Sequence, residues 1–217
     1  MKPRYWILKL CIGFSLLSGC TAIMTQECHH TGKSSSSGAH LKKEEPLNTK
    51  RRVSAVIMGS GRLRAETLKK VLKKHNPKLS DMKIDEMVLA YIEECRAENI
   101  NHDIAFTQMC LETNYLQYGG QVHAAQNNFA GLGATDDGAR GTKFRTLRDG
   151  VRAHVQHLKA YASKEMLKNP CIDPRFRFVK RGSARTIYDL AGKWASDRHY
   201  GEKIRDRMIL FYRLQDS

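Results

Sequence analysis

The sequence lacks the signatures of several common chemistries. It has no Gly-rich phosphate loop, no Gly-x-Ser-x-Gly elbow and no Cys or His spacing typical of a zinc site. No His–Asn pattern accompanies a cysteine, which argues against a nucleophilic thiol. No internal repeat is visible. We therefore expect neither a metal site nor a cofactor.

Charge is also missing from one long stretch. Asp, Glu, Lys and Arg make up 27% of the chain, yet Glu112 is the only one of them between Asp103 and Asp136. Composition alone predicts about eight or nine charges there. The carboxyl lies among apolar and aromatic residues, so we expect desolvation to raise its pKa towards neutrality. A general acid needs such a pKa at physiological pH.

A buried helix is predicted around this carboxyl. His102 and Asp103 stand where it begins, and residues 104–116 contain no Gly or Pro. Gly119-Gly120 ends it, and residues 126–133 form a loop rich in amides and glycines. Such a loop suits sugar hydroxyls and acetamido groups, although a plain turn has the same composition.

Four segments occur in an order that resembles a known family. They read AFTQMCLET, NNFAGLGAT, FRTLRDGVRAHVQHLKAYA and DLAGKWASDRHYGEKI. Over residues 54–214 the chain is similar to the glucosaminidase domain of glycoside hydrolase family 73, bacterial enzymes that cut the sugar strands of peptidoglycan. The resemblance implies a mainly α, lysozyme-like domain with the catalytic carboxylate at the end of a central helix. The Gly-flanked segment GATDDGARGTKFR is expected to add a small β-hairpin lip beside the cleft.

The resemblance also assigns roles to individual positions. It places the catalytic Glu on Glu112, followed by Thr113 where many members have Ser. It places the late Tyr-x-x-Lys-Ile element on Tyr200, Lys203 and Ile204, with Tyr200 bonding the acetamido group or positioning water. The family's substrate-binding loop falls on Asn127, Asn128, Phe129 and Gly131.

A second catalytic group is less well defined. Glycosidases generally use two carboxylates, and the first acidic residues after Glu112 are Asp136 and Asp137. Their Asp-Asp-Gly sequence is also ordinary turn chemistry, leading into an expected short strand at Thr142–Arg145. Substrate assistance by the N-acetyl group is the alternative.

The beginning of the chain predicts export. Lys2, Arg4 and Lys9 precede a short apolar run. The run ends in Leu-Ser-Gly-Cys, which is similar to a bacterial lipobox with Cys20 as the acylated residue. We expect a signal peptide at 1–19, a lipidated Cys20 with a Ser/Gly-rich tether at 20–53, and a catalytic domain at 54–217. The protein would then be a membrane-anchored lipoprotein facing the cell wall or periplasm.

Helical periodicity predicts six helices in the last domain. The expected ranges are 65–74, 82–98, 103–116, 147–166, 184–195 and 201–214. Thr146 with Asp149, and Thr186 with Asp189, resemble capping boxes. The domain is expected to have a single hydrophobic core, and the protein is expected to be a monomer.

The net charge of +15 predicts attraction to polyanions. For an exported chain, the anionic cell wall and phospholipid head groups are simpler partners than nucleic acid. Peptidoglycan hydrolysis after N-acetylglucosamine is the favoured function. A lytic transglycosylase, an inactive glycan-binding lipoprotein and a basic polyanion-binding module remain alternatives.

The lipobox gives a direct prediction. Cys20→Ala removes the thiol that would be acylated, so the variant should incorporate no fatty-acid analogue and should leave the membrane fraction. Labelling of cells that express either protein measures this. Equal incorporation by wild type and variant would contradict the anchor.

Overall fold

The protein is mainly helical. The computed structural model describes residues 53–119, 122–134 and 141–217. The helices are α1 Ala65–His75, α2 Asp81–Glu98, α3 His102–Thr113, α4 Leu147–Ala162 and α5 Tyr200–Asp216. Short 3-10 turns lie at Ala124–Gln126, Phe176–Phe178 and Ile187–Leu190. The expected mainly α class is confirmed.

Helix α3 is the centre of the domain. Every residue from Asp103 to Leu111 is buried, and the helix packs against α2, α4 and α5. The Asn101 side chain caps its start by accepting the Asp103 N–H at 3.0 Å. The Asp103 carboxylate accepts the backbone N–H groups of Arg62 and Leu63 and the Tyr212 hydroxyl. The chain before α1 and the last helix are thereby fixed to the start of α3.

A buried ion pair joins α2 to α4. Lys159 Nζ lies 2.8 Å from Glu98 Oε2, and both side chains are almost fully shielded from solvent. Glu98 also accepts the backbone N–H groups of Lys168 and Asn169. A buried pair with these further hydrogen bonds keeps its charges satisfied. It ties the segment after α4 to the end of α2.

A strained turn follows α3. Asn114, Tyr115 and Leu116 have φ values of 48°, 55° and 62°. Successive left-handed residues other than Gly are unfavourable, by about 1–2 kcal/mol each. The Tyr115 ring stacks on His75 at 3.9 Å, and Asn76 Nδ2 donates to the Tyr115 carbonyl at 3.0 Å. These contacts with the end of α1 hold the turn, so α3 ends at Thr113 rather than at the predicted residue 116.

The prediction of a helix at 184–195 was wrong. The Thr186–Asp189 capping box is present, but it opens only the turn Ile187–Leu190. Ala191 is extended and Gly192 has a φ of +73°. The chain is thus redirected within one turn, and Trp194 approaches α3.

Two smaller expectations also need correction. Helix α4 starts with the predicted Thr146–Asp149 capping box but ends at Ala162, because Ser163 is extended and its hydroxyl accepts the Glu165 N–H. No strand forms at Thr142–Arg145. There, Thr142 N donates to the Leu132 carbonyl, so the segment follows the preceding loop instead.

The predictions for the N-terminal region concern residues that the structure does not describe. The expected signal peptide, Cys20 and nearly all of the tether lie outside the described residues. Within the described ranges, no helix is long and apolar enough to cross a membrane.

Candidate active site

Glu112 lies in the last turn of α3 and receives two hydrogen bonds on one oxygen. Trp194 Nε1 donates to Oε1 at 3.2 Å, and the Tyr200 hydroxyl donates to the same atom. Trp194 comes from the redirected segment before α5, and Tyr200 is the first residue of α5. The second oxygen, Oε2, has no hydrogen-bond partner among the described residues.

The electrostatics of Glu112 follow from its burial. Desolvation raises the pKa of the carboxyl from 4.5 to about 7, against the lowering effect of the hydrogen bonds from Tyr200 and Trp194. The predicted rise of this pKa is confirmed. Glu112 can therefore hold or release a proton near neutral pH.

A cleft opens beside this carboxyl. Its other lining residues come from the amide-rich loop, from α4 and from the segment between α4 and α5: Ala130, Gly131, Leu132, Gly133, His157, Tyr161, Arg175 and Trp194. Among the described lining residues, Glu112 is the only carboxylic acid. The lining thus combines a glycine-containing loop with aromatic side chains. This combination suits a sugar, which has hydroxyl groups at its edge and apolar C–H faces.

The aromatic wall is built around Trp194. Its ring centroid lies 5.1 Å from His157 and 5.8 Å from Tyr161. His157 Nδ1 is 2.7 Å from the buried Asp173 carboxylate, which fixes the imidazole in the cleft. The Tyr161 hydroxyl donates to the Lys193 carbonyl, which holds the segment before Trp194. These rings are held rigidly before any ligand arrives.

Two of the predicted substrate-binding residues have a different role. Asn128 is fully buried, and its amide uses both ends within the loop. Nδ2 donates to the Leu132 and Thr142 carbonyls, and Oδ1 accepts the Leu132 N–H. Phe129 is also buried, at 1% exposure. Contrary to expectation, Asn128 and Phe129 shape the loop and have no surface left for a sugar.

The remaining loop residues divide as follows. Gly131 lines the cleft as expected. Asn127 does not line it: Nδ2 donates to the Phe144 carbonyl at 3.3 Å, and its own carbonyl touches α4. A Cβ at Gly150 would lie 1.7 Å from that carbonyl oxygen, so only glycine permits this contact. Asp136 and Asp137 lie outside the described residues.

A comparison with protein families decides the family of this chain. A family model described as "Glucosaminidase: Mannosyl-glycoprotein endo-beta-N-acetylglucosaminidase" matches residues 88–213. The chain belongs to this family. The matched region contains Glu112 and every described lining residue of the cleft. At the level of the family, this glucosaminidase domain is a glycosidase for a glycan of the peptidoglycan type.

The comparison with curated proteins gives a relative of similar length. The chain is 38% identical over 196 residues to an uncharacterized protein of Borreliella burgdorferi. The alignment covers 90% of this chain and 93% of the relative, so it extends well beyond the segment that matches the family model.

Sequence reasoning missed several residues of the glucosaminidase cleft. Trp194, His157, Tyr161 and Arg175 line it, yet none was singled out as a site residue. His157 and Tyr161 are four residues apart and share one face of α4, which was available as a signal. Trp194 lay inside a wrongly predicted helix, which concealed its approach to Glu112.

The raised pKa of Glu112 predicts a change in stability with pH. Between pH 4.5 and about 7 the folded state binds this proton more tightly than the unfolded state, so the free energy of unfolding falls as pH rises. Glu112→Gln should therefore gain up to about 3 kcal/mol over wild type at pH 8, and nothing at pH 4. Urea unfolding followed by far-UV circular dichroism measures both values.

The control is Glu86→Gln on the exposed surface of α2. It should change stability equally at both pH values. The idea fails if the Glu112→Gln difference is also the same at pH 4 and pH 8.

Proposed function

We propose that this glucosaminidase domain hydrolyses the β-1,4 bond after N-acetylglucosamine in peptidoglycan, with Glu112 as general acid. The observation that carries the proposal is the Glu112 carboxyl, which has a pKa of about 7 and is the only carboxyl among the described residues that line the cleft of this glycosidase-family member. A carboxyl in this state donates a proton to the glycosidic oxygen as the bond to the anomeric carbon breaks.

The hydrogen bonds that Glu112 accepts indicate which of its two oxygens carries the acidic proton. Oε1 accepts from both Trp194 and Tyr200, so its lone pairs are engaged. The acidic proton then resides on Oε2, which has no described protein partner. After transfer, the two donors to Oε1 stabilise the carboxylate that remains.

The second group is proposed to be the substrate's own acetamido oxygen. No second carboxyl lines the cleft within the described residues, which favours this route. The acetamido oxygen attacks the anomeric carbon as the leaving group departs, and water opens the resulting ring with Glu112 acting as base. Tyr200, whose hydroxyl donates to Glu112 Oε1, is proposed to stabilise the Glu112 carboxylate during this step. Asp136 or Asp137 as the base for water is the alternative.

Because Glu112 is the only carboxyl that lines the cleft in the described part of the chain, a lytic transglycosylase is a second candidate. That reaction breaks the bond after N-acetylmuramic acid instead, and the 6-hydroxyl of the same sugar, rather than water, attacks its anomeric carbon and gives an anhydro sugar. A loss of 18 mass units relative to the hydrolysed product separates the two reactions. Binding to purified peptidoglycan without any product would instead favour a glycan-binding lipoprotein.

The proposed location follows from the beginning of the sequence. Acylated Cys20 would anchor the chain, and residues 20–53 would serve as a tether between the lipid and the domain. The catalytic domain would then act on the cell wall close to the membrane.

Removal of the acid tests the proposal most directly. Glu112→Gln keeps the side-chain shape but carries no acidic proton, so cleavage should fall by at least about 100-fold. Digestion of purified peptidoglycan by residues 54–217, followed by mass spectrometry of the reduced products, measures it. A Glu112→Gln variant with near wild-type turnover would refute the assignment, and Glu86→Gln should cleave normally.

A second set of variants separates the two routes to hydrolysis. By either route Tyr200→Phe should lose about 10- to 100-fold, because it removes the hydrogen bond to the charged Glu112 carboxylate. With substrate assistance, Asp136→Asn and Asp137→Asn should have modest effects, and the product should retain its anomeric configuration. An inverted product together with an inactive Asp variant would show that an Asp activates water instead.

A further inference from the structure

A row of buried polar side chains connects the core to Glu112, with one member from each of four helices. Tyr91 Oη on α2 is 2.9 Å from His154 Nδ1 on α4. His154 Nε2 is 3.0 Å from Gln108 Oε1 on α3. Gln108 Nε2 donates to the Tyr200 hydroxyl on α5 at 2.8 Å, and Tyr200 donates to Glu112. The first three residues are fully buried and Tyr200 is 4% exposed.

The buried end of this row determines its direction. Within the described residues, His154 Nδ1 is the only hydrogen-bond partner of the Tyr91 hydroxyl. Burial lowers the pKa of His154 to about 3, so the imidazole is neutral and carries one N–H. If that proton were on Nδ1, the Tyr91 hydroxyl proton would be buried without an acceptor, which is costly. Tyr91 therefore donates to Nδ1, and Nε2 carries the imidazole proton.

The remaining bonds follow from that tautomer. His154 Nε2–H requires an acceptor, so the carbonyl oxygen of the Gln108 amide faces it. The amide nitrogen of Gln108 then faces Tyr200 and donates to its oxygen. The Tyr200 hydroxyl is left to donate its own proton to Glu112 Oε1. Each bond has one permitted direction, and all of them run towards the catalytic carboxyl.

We propose that Tyr91, His154 and Gln108 are positioning residues that hold the Tyr200 hydroxyl as a donor to Glu112 Oε1 and so keep the acidic proton on Oε2. The inference rests on the proposed role of Glu112 as general acid. None of the three touches the cleft, since all are fully buried and none lines it. Their hydrogen bonds reach the carboxyl through Tyr200, and the His154 ring also packs against Trp194 at 5.6 Å.

Other charged and titratable groups face the carboxyl from outside this row. His157 on α4, Tyr161 on α4 and Arg175 after it line the same cleft. Arg207 on α5 acts electrostatically on Tyr200. The variants chosen for the test leave all four unchanged, so a change in the titration of Glu112 reports on the hydrogen-bonded row.

The test uses two variants that break the row at different points. Tyr91→Phe removes the hydroxyl that sets the direction, and Gln108→Met removes the donor to Tyr200. In Tyr91→Phe the row can reverse, so that the Tyr200 hydroxyl donates to Gln108 instead of Glu112. In Gln108→Met the Tyr200 oxygen loses the donor that polarises it, so its own hydrogen bond to Glu112 weakens. In both variants the Glu112 carboxylate loses stabilisation. The pKa of Glu112 should then rise by about one unit, the effect of one charged hydrogen bond. Carbon-13 NMR titration of the labelled Glu112 carboxyl measures this in the free protein.

Tyr212→Phe is the matched control. Tyr212 is a buried tyrosine on α5 whose hydroxyl donates to Asp103 at 2.5 Å, so its loss removes a comparable buried hydrogen bond away from Glu112. This variant should leave the titration of Glu112 unchanged. The pH profile of glycan cleavage gives the second readout: its alkaline limb should move upward by about one unit in Tyr91→Phe and Gln108→Met only.

The outcomes separate the inference from the proposed function. A normal titration of Glu112 in both folded variants, with cleavage and pH profile unchanged, overturns the positioning role and leaves the hydrolase intact. If the pKa of Glu112 rises in both variants but the wild-type protein cleaves no glycan, the directed row is supported and the hydrolase is refuted. A shift of equal size in Tyr212→Phe would assign the effect to general loosening of the core and overturn the inference.

Discussion

Burial of one carboxyl group at the end of a core helix determines how the rest of the domain must be arranged. Glu112 gains its near-neutral pKa from desolvation, and desolvation requires packed helices around α3. A carboxylate left without donors there would be too costly to ionise. Trp194 and Tyr200 supply those donors from a redirected segment and from the start of α5. Core packing and the pKa of Glu112 therefore depend on the same contacts.

The features that could be predicted from the sequence are those encoded locally. The scarcity of charge around Glu112 predicted both the burial of α3 and the raised pKa of the carboxyl. The capping box at Thr146 and Asp149 predicted the start of α4, since its hydrogen bonds join residues three apart. The box at Thr186 marked a start equally well, but it gave no information on where the helix would end.

The features that could not be predicted depend on contacts between distant segments. Asn128 lies in a loop whose composition suits sugar binding, yet all four of its side-chain hydrogen-bonding positions are occupied by backbone groups of nearby residues. Trp194 reaches Glu112 only because Gly192 redirects the chain. The residues joined to Tyr200 come from different helices, and no spacing along the chain relates them. Their importance appears only once the helices are packed.

The left-handed turn after α3 has a consequence for local opening. Its residues remain in unfavourable conformations only while Tyr115 is stacked on His75 and Asn76 holds the Tyr115 carbonyl. If the end of α1 frays, the turn loses its support, and the last turn of α3 loses its C-terminal boundary. The two helix ends thus form one cooperative opening unit, and their amide hydrogens should exchange together rather than in sequence order. Glu112 is therefore held in place partly by a helix that lies outside the cleft.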